Sequence, residues 1–278
     1  MTLASTLAAA SGPPAPGPHD FNLPSILPWN GSTSWGVNFG LEDGFFISKP
    51  MVLVVLSLII VIALFAAAAR PAAVVPGRLQ FAGELVYGFV RDGIARDNLG
   101  SKDYQRFVPF LFAIFAFVFV NNYYGLVPFV QFPVMSHIGF PLAIALVTWV
   151  IYNGAGIARH GFVGYLKHET VPGGMKGPIL LLLVPLEFLS NILLRPITLT
   201  LRLFATMFAG HLLLVLFSLG AGYLLLHSDN PLAIPAGIAS GILFVAISCL
   251  ELLVMFLQAY VFTLLAAMYI GEALADEH

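Results

Sequence analysis

Hydrophobic positions along this chain come in long unbroken runs. Apolar segments fall at about 50–69, 107–128, 138–158, 178–226 and 231–271. Strands of a membrane barrel would alternate with period two, so these runs are read as helices. The first three have the length of single membrane spans, about 20 residues each. The last two are longer. At about 1.5 Å per residue, 49 residues reach about 73 Å and 41 residues about 61 Å, against a bilayer core about 30 Å thick. Each is either two spans or one helix lying far from the membrane normal. Neither contains a polar turn in its middle. That favours two long, strongly tilted helices, forming a hairpin at the turn His227-Ser228-Asp229-Asn230-Pro231. The expected fold class is therefore an all-α integral membrane protein with about five transmembrane helices.

Composition agrees with this reading. Hydrophobic residues make up 59% of the chain and charged residues 9%, whereas soluble domains carry about 25% charged residues. The formal net charge of -2 excludes a basic surface of the nucleic-acid-binding kind. The single cysteine, Cys249, has no internal disulfide partner. No Lys or Arg precedes Lys49, so residues 1–24 read as a flexible Pro/Ala tail rather than a leader. Asn30-Gly31-Ser32 fits a glycosylation sequon, a triplet common by chance.

The distribution of basic residues gives an expected orientation. Six of the twelve, Arg70, Arg78, Arg91, Arg96, Lys102 and Arg106, lie between the first and second spans. Arg159, Lys167 and Lys176 lie between the third and fourth, and only Lys49 precedes the first. The N-terminal segment 1–49 is thus expected outside. The loops 70–106 and 159–177, and the C-terminus, are expected on the cytoplasmic side of a membrane domain spanning 50–278. Seven spans would leave the C-terminus on the same side as five. In residues 79–98, apolar Leu79, Ala82, Leu85, Val86, Phe89 and Val90 recur at helical spacing among charges. This is an amphipathic helix, lying on the membrane surface or solvated in the loop. The sequence has no internal repeats, Cys/His metal spacing, phosphate-binding loop or nucleophile elbow, so no metal or cofactor is expected.

The ionisable residues inside the two long segments are few: Glu187, Arg195, Arg202, His211 and Glu251, with Asn191, Gln258 and Tyr260 as polar neighbours. An arginine at a bilayer centre costs about 2.5–3.5 kcal/mol on insertion scales. Arg195 precedes Pro196 and is expected to snorkel toward the cytoplasmic interface. Glu187 is either interfacial or a partner for Arg195. Arg202 lies seven residues further on, on nearly the same helix face and about 10 Å deeper, where snorkelling is harder. An ion pair with Glu251 is its structural alternative. A hairpin turning near residue 229 sets His211 opposite about residue 247, within a turn of Glu251, and Arg202 opposite about residue 256, close to Gln258. The four groups then form one strip. His, Glu and water suit a proton relay. Arginine does not release its proton and serves instead as a fixed charge, which repels free protons and attracts a carboxylate.

The stretches "RPITLTLRLFATMFAGHLL" and "CLELLVMFLQAYVFTLLAAMYIGEAL", with "SKDYQRFVPFLFAIFAFVFVNNYYGLVPF" before them, closely resemble the subunit a family of the bacterial F-type ATP synthase membrane sector. The resemblance covers about residues 40–278. It implies a proton-translocating stator beside a rotating c-ring, with two half-channels. The other implied partners are the peripheral-stalk b subunits, the remainder of the F-type ATP synthase and membrane lipids, with no nucleic acid. The long hairpin would lie against the c-ring.

By this resemblance Arg202 is the essential arginine separating the half-channels and pairing with the ring carboxylate. His211 and Glu251 are the entry-channel pair, in the His-then-Glu order that also looks like mitochondrial forms, and Gln258 faces the arginine. Glu187 resembles the exit-channel glutamate, although its spacing to Pro196 is one residue longer than in many relatives. Asn121 and Asn122 would line the entry side. Thr206 stands where many relatives have asparagine and takes no assigned role. The His–Glu pair without an oxygen cage favours protons over sodium. The location implied is the plasma (inner) membrane of a bacterium, and no enzymatic activity is expected of the chain alone.

Two other classes compete. A stand-alone proton-coupled secondary transporter or channel would suit the buried charges, but inverted repeats or short broken spans are missing. A non-conducting scaffold gains nothing from a deep arginine.

Overall fold

The computed structural model describes residues 49–68, 77–127, 133–170, 180–226 and 233–275. The N-terminal tail with its sequon, the segments around Arg70 and Lys176, and the turn at 227–231 lie outside the described residues. Among the described residues the chain is helical apart from short turns, with no strand. The elements are α1 (Lys49–Ala68), α2 (Arg78–Val90), a π-helical turn (Arg91–Ala95), α3 (Arg96–Tyr123), a short 3-10 turn (Val134–Ser136), α4 (Gly139–Thr170), α5 (Leu180–Phe188), a second π-helical segment (Leu189–Leu194), α6 (Arg195–Leu226) and α7 (Ala233–Leu274).

Four stretches are long and apolar enough to cross a membrane: Asp103–Tyr123, Gly139–Leu166, Leu183–Leu226 and Ala233–Leu274; Pro50–Ala66 is a shorter apolar helix. Helices satisfy their own backbone groups, which hydrocarbon demands of any spanning segment. Large apolar side chains such as Ile62, Ile242, Val245, Leu250 and Leu253 face outward. Water would penalise such a surface, and lipid accepts it. The protein is an all-α integral membrane protein.

Two glycines break helices where surface segments join spans. Gly100 has φ 74° and ψ 173°, and Gly161 has φ 73° and ψ 163°. This region of backbone space is essentially restricted to glycine. After Gly161 the chain folds back on α4. The Tyr165 ring lies so close to Gly156 that a Cβ there would collide with it. The Tyr165 hydroxyl donates to Asn153 Oδ1 at 3.0 Å. Arg159, just before the Gly161 break of α4, pairs at 2.7 Å with Asp103, just after the Gly100 break of α3.

The amphipathic segment is docked on the bundle by one face. Val90 and Ile94 are fully buried in the main core, and the Phe89 ring lies 5.8 Å from Phe115 and 5.7 Å from Tyr260 between centroids. Phe81 and Leu85 remain exposed beside it. The reading as a freely solvated loop helix is therefore corrected. Sequence spacing recorded the helix and not its docking partners, which come from α3 and α7.

The core is the seam of the α6–α7 hairpin, closed by α3. Leu199, Leu203 and Met207 of α6 meet a ladder of Met255, Ala259, Phe262, Ala266 and Ile270 on α7. Small residues set the register, as is common between membrane helices. A Cβ at Gly210 would come 3.0 Å from Glu251 Oε1, one at Gly220 would come 3.3 Å from Ser240 Oγ, and one at Gly237 would press on Leu225 at 2.7 Å. The pairing therefore runs about three residues later on α7 than a turn centred near residue 229 gives. It sets Arg202 opposite Gln258 and Ala259.

Candidate functional site: a polar strip between the long helices

The face of α6 that packs on α7 carries Leu199, Leu203, Met207 and Leu214, all buried. Arg202 sits at the edge of this seam, half-buried. Its Nε and Nη2 atoms are buried and have no hydrogen-bond partner among the described residues. On its open side runs an exposed stripe of Ile197, Leu201, Ala205 and Ala209, and α7 presents Leu250, Leu253 and Leu257 outward. Thr206 turns its hydroxyl back onto its own helix, donating to the Arg202 carbonyl at 2.9 Å. A buried cation without an anion is costly. The ion pair with Glu251 that was its structural alternative does not form, because Glu251 packs at Gly210, eight residues along α6.

Glu251 is buried, only 4% exposed, and neither carboxyl oxygen has a hydrogen-bond partner among the described residues. It fits against α6 because residue 210 has no side chain, and His211 is the next residue. Gln258 lies two turns along α7, buried, with its Nε2 atom unpartnered among the described residues. Asn121 and Asn122 close α3 near this seam. Asn121 Nδ2 donates to Ser57 Oγ of α1 at 2.9 Å, and Asn122 is fully buried with neither amide atom partnered among the described residues. Gly125, a turn further on, packs against Met255, between Glu251 and Gln258 on α7; a Cβ there would lie 3.3 Å from the Met255 methyl. Sequence reasoning missed Ser57 and Gly210. A lone serine in an apolar helix and a glycine beside a histidine were the available signals.

At the other end of the strip the chemistry is different. Pro196 has no N–H, so the carbonyls of Ile192, in the α pattern, and Asn191, in the π pattern, lose their helical donor. Both are capped from α4. The Trp149 indole donates to Ile192 O at 2.8 Å, and the Tyr152 hydroxyl to Asn191 O at 3.3 Å. Across the π segment, Glu187, Asn191 and Arg195 stand four residues apart and form one ladder. Asn191 Nδ2 donates to Glu187 Oε2 at 3.1 Å and to the Glu169 carbonyl at 2.9 Å, while Arg195 Nη2 donates to Asn191 Oδ1 at 3.1 Å.

Arg195 is held by carboxylates within the fold. Its side chain is 16% exposed, with Nη2 2.9 Å from Glu272 Oε2 and Nη1 3.9 Å from Glu169 Oε2. Its guanidinium also lies over the Tyr269 ring, 4.8 Å from the centroid. Glu187 reaches it through Asn191 rather than by direct pairing. The carboxylates that hold Arg195 come from the folded-back end of α4 and the end of α7. Their approach depends on the Gly161 reversal and the hairpin, neither of which hydropathy contains.

Comparison with known proteins identifies the family. The model of the family described as ATP synthase A chain matches residues 51–271. The chain is similar to ATP synthase subunit a of a Nocardioides species, 53% identical over the whole of both chains. It is also similar to the protein of that name from Paenarthrobacter aurescens, 47% identical over 95% of this chain and 94% of the relative. A third, from Streptomyces lividans, is 39% identical over 96% of this chain and 90% of its own. An all-helical membrane bundle with the family's pattern from Met51 to Gly271, and relatives this similar over their full length, establish that the chain belongs to the ATP synthase A chain family.

Proposed function

We propose that this chain is the proton-translocating stator subunit a of a bacterial F-type ATP synthase. It carries no nucleotide site in this reading. It provides two half-channels and the arginine that couple proton flow to c-ring rotation. The c-ring meets the exposed apolar stripes of α6 and α7, and peripheral-stalk b subunits with the rest of the complex hold the chain still. The chain lies in the plasma (inner) membrane with its N-terminus outside and its C-terminus cytoplasmic, in keeping with the clustering of basic residues in 70–106 and 159–177.

The observation that carries the reading is Arg202. A half-buried guanidinium with two buried nitrogens unpartnered among the described residues, on a helix with exposed apolar positions beside it, is best explained by an anion on another molecule. A ring carboxylate arriving through the membrane is such an anion. On one side of Arg202, buried Glu251 and Gln258 and half-buried His211, with Asn121 and Asn122 at the end of α3, supply polar groups for an entry path. On the other side, Glu187 and its ladder lead to the exit. Arg202 cannot lose its proton, so it interrupts both paths while remaining attractive to the ionised ring carboxylate.

The test is passive proton flux through the ATPase-stripped membrane sector carrying Arg202→Ala, with ATP synthesis measured on the intact complex. Synthesis should vanish while passive flux persists or rises. If flux and synthesis both stay at wild-type level, Arg202 is structural and the coupling role is wrong.

A further inference from the structure

Arg195 is held by groups from three elements, and the half-channel reading gives it no task. It stands two helical turns from Arg202 on the same side of α6, about 10 Å along the axis. The backbone between Glu187 and Pro196 is the weakest part of that helix. It contains the π segment Leu189–Leu194, and Pro196 removes a backbone donor. A π turn that relaxed to α by expelling one residue would rotate the flanking helices by about 100° relative to each other. Three residues oppose that change. Trp149 and Tyr152 cap the two orphaned carbonyls from the α4 side. Arg195 binds Asn191 within the segment, Glu169 on the folded-back arm, and Glu272 with Tyr269 on α7.

We propose that Arg195 is a positioning residue whose clasp on Asn191, Glu169 and Glu272 fixes the height and rotation of Arg202 against Gln258. The clasp ties α6 to α7 at a single level, and the glycine contacts at Gly210 and Gly220 tie them on the far side of Arg202. Arg202 is thus held between two fixed points along the same seam. Without the clasp the helix can slide or turn at its π segment, and the barrier between the two half-channels becomes leaky. This inference rests on the role given to Arg202 above.

The experiment uses vesicles bearing the complete synthase with Arg195→Ala, Arg195→Lys and Glu272→Gln, and Arg202→Ala as the reference. Protons pumped per ATP and passive proton leak are both normalised to assembled complex. Arg195→Ala should lower pumping per ATP several-fold and raise the leak. Arg195→Lys should recover much of the coupling, and Glu272→Gln should give a smaller version of the defect. A residue that only stabilises the fold would reduce the amount of assembled complex and leave both ratios unchanged. Wild-type ratios in Arg195→Ala and Glu272→Gln would overturn the clasp. If Arg195→Ala does not assemble, the ratios for Glu272→Gln and Tyr269→Leu decide the matter in the same way. Coupled pumping retained in Arg202→Ala would instead remove the reading on which the inference rests.

Discussion

At the scale of single residues, Gly210 and Glu251 show how an absent side chain makes a site. The Glu251 carboxyl presses on the position a Cβ at residue 210 would take, which would lie 3.0 Å from Oε1 and 3.2 Å from the carboxyl carbon. Contacts that short require one side to move. Gly210→Ala should displace the carboxylate and slow proton entry several-fold while Glu251 itself remains. Glu251→Gln and His211→Ala should slow entry at least as much, with the complex still assembled. ATP-driven proton pumping in vesicles reads all three, and wild-type rates in all of them would remove these residues from the entry path. Arg195 and Arg202 make the complementary point. Two arginines on one helix face, seven residues apart, have opposite environments: one is surrounded by carboxylates, and the other has buried nitrogens with no partner among the described residues.

At the scale of elements, the interruptions of the helices carry the design. Gly161 ends the membrane-length part of α4 and turns Glu169 back toward Arg195, where the carboxylate is 5% exposed. Its backbone, at φ 73° and ψ 163°, lies where other residues are strained by about 1–3 kcal/mol. Gly161→Ala should therefore destabilise the subunit by about that amount, seen as a lower melting temperature of the purified protein. An unchanged melting temperature would mean that the arm folds back without that backbone geometry. The π segment illustrates the other kind of interruption. An inserted residue alters the face that everything upstream presents, and here Glu187, Asn191 and Arg195 bond to one another across it.

At the scale of the whole molecule, the bundle has one well-packed side and one apolar side. Buried residues of α3 and α4 join the seam of α6 and α7, while Leu201, Leu213, Leu250 and Leu253 face away from it. In the proposed assembly that outer face meets the c-ring around Arg202. The chain should copurify with a c-ring in mild detergent. A C-terminal epitope should be protected in right-side-out vesicles and accessible in inverted ones. Isolation without a ring would favour a stand-alone transporter, and the reverse accessibility would invert the assigned half-channels.

The sequence alone determined the class of the molecule. Runs of apolar residues too long and too continuous for strands, with 9% charged residues, leave helices in a membrane as the physical outcome. It also singled out the intramembrane ionisable groups, because their cost in hydrocarbon makes each of them conspicuous. Hairpin arithmetic brought Arg202 close to Gln258, but the register was settled by the close packing at Gly210, Gly220 and Gly237. Only the tertiary structure decided the surroundings of Arg195. Glu169 and Glu272 lie 26 residues before it and 77 after it, and they meet it through a glycine reversal and a hairpin. Hydropathy records how much each residue dislikes water or lipid. It holds no information about which distant carboxylate a fold will bring beside a given arginine.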